Sequence, residues 1–311
     1  MPSTKAWTAN DLPDLSGKRI VVTGANSGIG FEAAREFARR GAYVVLACRS
    51  MEKAQAAAAR ITTAHPRAAV ELMELDLSSL ASVRNFARTF RDKHRKVHVL
   101  CNNAGVMALP YRRTTDGFEM QFGTNHLGHF ALTGLLLEAL LETADARVVT
   151  VSSGAHWIGR IRFGDLQWEG GYSEWLAYGQ SKLANLLFTF ELQRRAEQAG
   201  VGLKSIACHP GYAATNLQAA GLRMQGLWML EAAMDFANRL FAQSAAMGAL
   251  PLLYAAAAPA VKGGDYIGPD GPGELRGYPT KVSYSPAARD LETARRLWDI
   301  SEQLTGVRFR L

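Results

Sequence analysis

The sequence predicts one α/β domain built on a doubly wound parallel sheet of about seven strands, with helices on both faces. Three observations carry this. Short apolar runs of strand length alternate with stretches of helical periodicity along most of the 311 residues. The runs are apolar nearly throughout rather than at every second residue, as strands covered on both faces must be. The first run ends in a glycine-rich turn that leads straight into a helical pattern, and strand–helix–strand connections of this kind are right-handed. Together these describe a Rossmann-type fold.

The strand candidates, in order, are Arg19–Thr23, Ala42–Ala47, Val70–Leu75, Val97–Cys101, Ala146–Ser152 and Leu203–Cys208, with a seventh near Asp265–Ile267. Helical segments begin near Ser27, Met51, Ser79, Asp116 and Trp175, and Asp290 to Thr305 reads as a helix that closes the domain. Two stretches break the alternation. Gly154–Glu174 carries Trp157, Trp168 and Tyr172, and Ala213–Asn238 is rich in Leu, Met and Trp. Loops this long in a compact domain are usually functional or disordered. Both follow strand C-termini, which is where ligands bind in open parallel sheets.

Composition narrows the function classes. Hydrophobic residues make up 48% of the chain, enough for a sizeable core. The net charge of +7 suits nucleic acid, a membrane surface or a phosphorylated ligand. The densest basic piece, Arg91 to Lys96, reads as the solvated end of a helix. No basic stripe with interleaved aromatics exists, so nucleic acid is not an expected partner. The three cysteines, Cys48, Cys101 and Cys208, are odd in number and spaced for neither disulfides nor a metal, which fits a reducing compartment. Met1 to Leu15 lacks an apolar signal core. Ala131 to Leu141 is interrupted by Glu138 and Ala245 to Ala260 by two prolines, so neither reads as a membrane span. The expected location is the cytoplasm.

The turn after the first strand runs Thr23-Gly24-Ala25-Asn26-Ser27-Gly28-Ile29-Gly30. Glycines there allow a tight turn and close approach of backbone to a pyrophosphate, whose charge meets the helix N-terminus. Gly24, Asn26, Ser27, Gly28, Ile29 and Gly30 are therefore candidate dinucleotide contacts. An acidic residue at the end of the second strand would bond ribose hydroxyls and repel a 2′-phosphate. This chain has Ala47-Cys48-Arg49-Ser50 instead, with Lys53 one helical turn on. Cations at a helix start oppose the helix dipole, so a bound phosphate explains Arg49 and Lys53 better than chance, and NADP(H) is the expected cofactor. Asp76, followed by Leu77, ends the third strand. It can bond an adenine amino group or cap the next helix, and the sequence does not choose.

Tyr178 and Lys182 are four residues apart in a helical stretch and share a face. A free tyrosine titrates near pH ~10, and a neighbouring ammonium favours the phenolate and lowers that value. Adjacent strand residues point to opposite faces, so only one of Ser152 and Ser153 is expected to face the cofactor. His126 and His129 have helical spacing, but no third ligand pattern lies near them and no metal is expected. His156 and His209 read as local hydrogen-bond partners.

With these pieces in place the chain resembles the short-chain dehydrogenase/reductase family. The matching elements are the loop at Gly24, Gly28 and Gly30; Asn102-Asn103-Ala104-Gly105; Asn125; Ser152-Ser153; Tyr178 with Lys182; and Pro210-Gly211 followed by Thr215. They occur in the family's order between about residues 17 and 216. A narrower resemblance, to retinol dehydrogenase-like members, rests on Ala47-Cys48-Arg49, Asn125 to Phe130, Ser181 to Asn185, and Ala294 to Trp298. Light-dependent protochlorophyllide reductases also look similar. They typically carry a cysteine where this chain has Ala184.

The resemblance implies roles. Tyr178 would give a proton to the carbonyl oxygen in reduction and take it back in oxidation. Lys182 would lower the tyrosine pKa and bond the nicotinamide ribose. Ser153 would bind the substrate oxygen as it gains charge, and Asn125 would hold a water linking Lys182 to solvent. Asn103, Ala104 and Gly105 would border the cofactor, and Pro210, Gly211 and Thr215 would hold its carboxamide. The interval from Ser153 to Tyr178 looks like that of the retinol dehydrogenase-like members, which favours Ser153 over Ser152.

The whole chain, 1–311, thus reads as one domain: a cofactor-binding core with the catalytic residues over 17–210, a substrate-binding segment over 211–240, and a closing region over 241–311. Leu217, Leu222, Met224, Leu227, Trp228, Met229 and Leu230 could form an apolar lid, with Trp157 a further wall; ordinary core or a dimer face would show the same spacing. If the segment is a lid, the substrate is a lipophilic ketone, aldehyde or alcohol. A homodimer through helices near Asp116–Leu141 and Trp175–Ala199 is expected from the resemblance. The alternative from another class is an NADP(H)-sensing binding protein that has lost catalysis. Such a protein would usually have lost a member of the set Asn125, Ser153, Tyr178 and Lys182, which is complete here.

Overall fold

The computed structural model describes residues 6–212 and 243–311. The expected segment Ala213–Asn238, with its lid residues and Thr215, lies outside them. Eight strands form one sheet in the order β3-β2-β1-β4-β5-β6-β7-β8. They are β1 (Arg19–Thr23), β2 (Tyr43–Cys48), β3 (Ala69–Glu74), β4 (Val99–Asn102), β5 (Arg147–Val151), β6 (Lys204–Cys208), β7 (Tyr266–Pro269) and β8 (Pro279–Lys281). Strands β1 to β7 are parallel to one another. The central strands are buried along almost their whole length, in line with their continuous apolar runs.

The sheet has one strand more than the seven expected. β8 is three residues long, largely exposed, and pairs antiparallel with β7 to form the edge of the sheet. An edge strand with a proline and two polar residues has no apolar signature, so only its pairing reveals it.

Helices cover both faces. On one lie α1 (Gly28–Arg39), α2 (Met51–Ala64) and, from the far end of the chain, the helix Ala245–Ala257. Phe37, Ile61 and Leu253 fill that layer. On the other lie α3 (Leu80–Lys93), a helical passage made of α4 (Met120–Phe122), a π-turn at Gly123–Leu127 and α5 (Gly128–Leu135), then α6 (Leu137–Leu141) and α7 (Glu174–Gln198). After α7, Ala245–Ala257 is α8 and Leu291–Thr305 is α9. α9 closes the second layer against α7, as its periodicity predicts. Asp290 accepts from two N–H groups of its first turn, and Gly306 ends it at φ +63°.

The helix expected near Asp116 starts four residues later. Thr114 and Phe118 pair across a tight turn through Gly117, and Glu119 then caps Gln121 and Phe122 with its carboxylate. Among the described residues no helix is long and apolar enough to cross a membrane.

The chain winds outward through β1, β2 and β3, returns to β4 beside β1, and continues the other way. The crevice between the C-terminal ends of β1 and β4 is thus the switch point where open parallel sheets bind ligands. The second layer is knit by aromatic rings. Trp298 of α9 is fully buried and meets Phe130 at 5.1 Å, Phe188 at 5.8 Å and Phe309 at 4.5 Å between ring centroids. Trp298→Ala should lower the unfolding free energy by about 3–5 kcal/mol, read as a shift of the urea midpoint. A loss below about 1 kcal/mol would mean that this cluster does not hold α9 and α7 together.

Candidate active site

The site is assembled where β1, β4 and β5 end and α1, the π-turn and α7 begin. Gly24 leaves β1 with φ +67°. A Cβ on Gly30 would lie 2.5 Å from the Gly24 carbonyl oxygen and 2.5 Å from Asn103 Nδ2, so only glycine lets α1 pack this close to the turn. The first-turn N–H groups of α1 have no intrahelical partner. Ser27, at the N-cap, makes no side-chain bond to them, and no acidic residue stands in the first turn. Partly exposed Asn26, Ser27 and Ile29 surround that end. A cradle that a Cβ would fill, next to an uncapped helix start, fits a pyrophosphate.

Beyond β2, Arg49 and Lys53 are exposed, and neither is in an ion pair among the described residues. Ser50 caps α2 by accepting from the Lys53 N–H at 3.4 Å. Asp76 folds its carboxylate back onto Ser78, accepting from its N–H at 2.9 Å and its hydroxyl at 2.7 Å. The cap of α3 is Ser79, not Asp76. Leu77 is buried, with its carbonyl against Gly128.

Asn103, Ala104 and Gly105 follow β4. Asn103 Nδ2 donates to the Thr23 carbonyl at 2.8 Å, and the Asn103 and Ala104 N–H groups both donate to Thr23 Oγ1 at 2.9 Å. Gly105 lies against the Asn125 side chain and near Lys182 Nζ. Asn125 is fully buried in the π-turn. Its Oδ1 accepts from the Val106 N–H at 2.8 Å, and its Nδ2 donates to the Val106 carbonyl and to Ser181 Oγ, each at 2.9 Å. π-turns inside helices occur frequently at functional sites.

The two serines after β5 part company. Ser152 Oγ donates to the Lys182 carbonyl at 2.8 Å and is spent holding α7. Ser153 Oγ caps a short 3₁₀ turn by accepting from the Ala155 N–H at 3.2 Å, and its hydroxyl is close enough to Tyr178 to lower the tyrosine pKa. The loop carrying Ser153 lies flat on α7, because a Cβ on Gly159 would fall 2.3 Å from the Gly179 carbonyl oxygen. Tyr178 is 5% exposed and Lys182 3%. Burial pushes the Tyr178 hydroxyl up to about 12, against the hydrogen bond from Ser153, and pushes the Lys182 ammonium down to about 8. Lys182 Nζ lies 5.6 Å from the centre of the Tyr178 ring and donates to the Val151 carbonyl at 3.1 Å. In this structure the tyrosine pKa is raised by burial rather than lowered, and Ser153 is what opposes the rise.

Gly211, with Pro210 before it, is clasped to the β7–β8 connection: the Tyr212 N–H donates to the Leu275 carbonyl at 2.7 Å. His209 Nε2 lies 3.1 Å from Glu274 Oε2. His156 Nδ1 donates to the Ser153 carbonyl at 2.7 Å and its Nε2 accepts from the Ser285 N–H at 3.1 Å. Both histidines are thus local hydrogen-bond partners. No cluster of metal-ligating side chains occurs among the described residues. Trp157 is 53% exposed.

Several side chains in this machinery carried no readable role. Thr23 looks like any strand residue, yet it organises the Asn103 turn. Asn185 Nδ2 shares the Val151 carbonyl with Lys182 at 3.1 Å. Gln121 ties the π-turn to two loops through the Ala108 N–H, the Tyr172 hydroxyl and the Glu174 carbonyl. The only available signal was a polar residue within an otherwise buried pattern.

A family model described as short chain dehydrogenase matches residues 18–225. Retinol dehydrogenase 12 of Mus musculus is 44% identical over 297 residues, covering 95% of this chain and 88% of that protein. A solved structure of an uncharacterized protein from Mycobacterium Paratuberculosis is 48% identical with a TM-score of 0.82, covering 98% of this chain and 100% of that one. One from Beutenbergia cavernae, described as an NAD(P) dependent gluconate 5-dehydrogenase with bound NADP, is 27% identical with a TM-score of 0.63, covering 81% of this chain and 95% of that one. Fold, motif order and these likenesses agree: the chain belongs to the short-chain dehydrogenase family, among its retinol dehydrogenase-like members, and is an oxidoreductase that interconverts an alcohol and a carbonyl compound by hydride transfer.

Proposed function

We propose that this oxidoreductase uses NADP(H), acts on a lipophilic ketone or aldehyde and its alcohol, and employs Tyr178 as the general acid and base. The observation that carries the reading is the Tyr178 hydroxyl, buried, with the neighbouring Ser153 acting to lower its pKa, and one helical turn from the buried Lys182. A bound nicotinamide dinucleotide supplies or accepts the hydride. The chain's own residues handle the proton. Tyr178 O–H donates to the substrate oxygen as that atom gains charge, and Ser153 O–H donates to the same atom. A hydroxyl held near 12 stays protonated at neutral pH, which suits the acid role in reduction. Lys182, near 8, can hold or release a proton at working pH and bonds the ribose. Asn125, through Val106 and Ser181, keeps the adjoining wall fixed.

NADP(H) over NAD(H) rests on Arg49 and Lys53, two exposed cations at the start of α2 where an acid would repel a 2′-phosphate. The bound NADP described for the Beutenbergia cavernae protein points the same way. A lipophilic substrate is supported by large apolar side chains on the Ser153 loop and the first turn of α7: Trp157, Ile158, Trp175 and Leu176 are exposed, and the Trp175 ring lies 6.2 Å from that of Tyr178. Pro210 and Gly211 would border the carboxamide, with Thr215 beyond the described residues. The names of the curated relatives make retinoids the first compounds to try, beside other apolar ketones and aldehydes.

Three outcomes test this. Tyr178→Phe, with an apolar carbonyl compound and NADPH, should cut turnover on the order of 10²–10⁴-fold while NADPH affinity stays the same; near-normal turnover with the chemical step rate-limiting would refute the acid–base role. Arg49→Asp should weaken NADPH binding more than NADH binding, and equal losses would remove the basis for NADP(H) preference. Affinity for NADPH should also fall as pH rises through about 8, where the buried Lys182 loses its proton, and Lys182→Met should flatten that profile. A break that persists in Lys182→Met belongs to another group.

A further inference from the structure

His129 lies on α5, fully buried, and sits between the π-turn and the end of β1. Its Nδ1 is 3.0 Å from the main-chain carbonyl of Asn125, and its Nε2 is 3.0 Å from Thr23 Oγ1. A carbonyl oxygen only accepts, so Nδ1 carries the ring proton and Nε2 is left as an acceptor. The one proton of the Thr23 hydroxyl then points to Nε2. That leaves both hydroxyl lone pairs for the two N–H groups that reach it at 2.9 Å, from Asn103 and Ala104. The competing acceptor for the hydroxyl proton, the Cys101 carbonyl, is farther away at 3.2 Å. The bonds of the chain Asn125–His129–Thr23–Asn103/Ala104 thus run in one direction, with the Asn103 N–H shared between Thr23 Oγ1 and the Cys101 carbonyl at 3.0 Å.

We infer that His129 is a positioning residue: its neutral imidazole holds the catalytic π-turn in register with the Thr23–Gly24 turn and the Asn103–Gly105 turn that face the dinucleotide. The inference rests on the oxidoreductase reading above. Thr23 is the last residue of β1, one residue before the glycine cradle, and Asn103 Nδ2 also bonds its carbonyl. The Asn103 turn in turn abuts Gly30 and, through Gly105, the Asn125 side chain. Movement of the imidazole therefore shifts the pyrophosphate cradle and the Asn125 turn together. Burial pushes the ring down to about 4, with the nearby Lys182 ammonium adding to the effect, so it stays neutral and keeps this one tautomer throughout the working pH range. Asn102 and Thr133 pack the same layer: Asn102 Nδ2 donates to Thr133 Oγ1 at 3.1 Å, and Thr133 Oγ1 donates to the His129 carbonyl at 2.7 Å. The ring sits on a fixed base.

The test uses the full chain, NADPH as the probe, and a carbonyl compound that the wild type reduces. His129→Phe keeps a ring of similar size without its nitrogens, and Thr23→Val keeps the shape of Thr23 without its hydroxyl. Each should raise the Kd for NADPH on the order of tenfold and lower kcat, since buried N–H groups lose an oriented acceptor. KM for the carbonyl compound should stay within about twofold, and the double variant should lose no more than the worse single one, because both substitutions break the same chain of bonds. Thr23→Ser, which retains the hydroxyl, should restore NADPH affinity. A merely structural histidine would lower the melting temperature of His129→Phe and leave Kd and kcat as in the wild type, and that result would overturn the inference. So would additive losses in the double variant. If His129→Phe fails to fold, Thr23→Val against Thr23→Ser decides: equal Kd values for the two overturn it. A wild type that binds neither NADPH nor NADH would remove the oxidoreductase reading itself, whereas tight binding by the wild type and by both single variants would remove only the role of His129.

Discussion

Everything in the active site is referred to the docking of α7 on the end of β5. The Val151 carbonyl, the last of the strand, accepts from both Lys182 Nζ and Asn185 Nδ2. Ser152, the next residue, returns a hydrogen bond from its hydroxyl to the Lys182 carbonyl. This two-way seam sets the height and rotation of the helix on the sheet. Tyr178 stands one turn before Lys182 and is carried with it. Ser153, the residue after Ser152, is brought to the Tyr178 hydroxyl because the backbone alternates at the strand end. The seam also puts the Lys182 ammonium where water is excluded, and that burial is why the lysine gives up its proton more readily than a surface lysine.

The sheet does the corresponding work for the other half of the site. Parallel pairing of β1 with β2 and with β4 brings the three turns at Gly24, Arg49 and Asn103 to one edge. Tertiary hydrogen bonds then lock two of those turns to each other through the Thr23 carbonyl and hydroxyl. The two halves meet at Gly105, which lies against Asn125 and near Lys182. A side chain at Gly30 would drive α1 off the Gly24 carbonyl, and one at Gly159 would lift the Ser153 loop from α7. The same device, a missing Cβ, thus serves the Gly24 turn at one end of the candidate site and the Ser153 loop beside Tyr178 at the other.

Much of this was legible in the order of the residues. Seven strands and the main helices follow from continuous apolar runs and helical periodicity, because burial on both faces of a parallel sheet leaves that pattern in the sequence itself. Tyr178 and Lys182 were legible because a helix converts a spacing of four into a shared face. β8 was not, since an exposed edge strand of three residues buries too little to need apolar side chains. The true start of α4 was not, because the Thr114–Phe118 turn that delays it is closed by backbone groups and one threonine hydroxyl, which leave no mark in the apolar pattern. Asp76 was ambiguous for a related reason: a carboxylate before a helix can cap it or close on its own turn, and local bonds to Ser78 decided the matter.

The sequence by itself determined the fold class, the positions of the glycine turn and the Tyr178–Lys182 pair, and the cations at the end of the second strand. These are local properties, set by periodicity, spacing and charge within a few residues. Only the tertiary structure decided that Ser153 rather than Ser152 acts on the tyrosine, that burial raises the Tyr178 pKa, and that Thr23 and His129 join residues more than a hundred positions apart along the chain. The physical reason is that hydrogen-bond partnership and desolvation depend on which groups the packed layers bring within about 3 Å of one another and shield from water. No spacing along the chain records that.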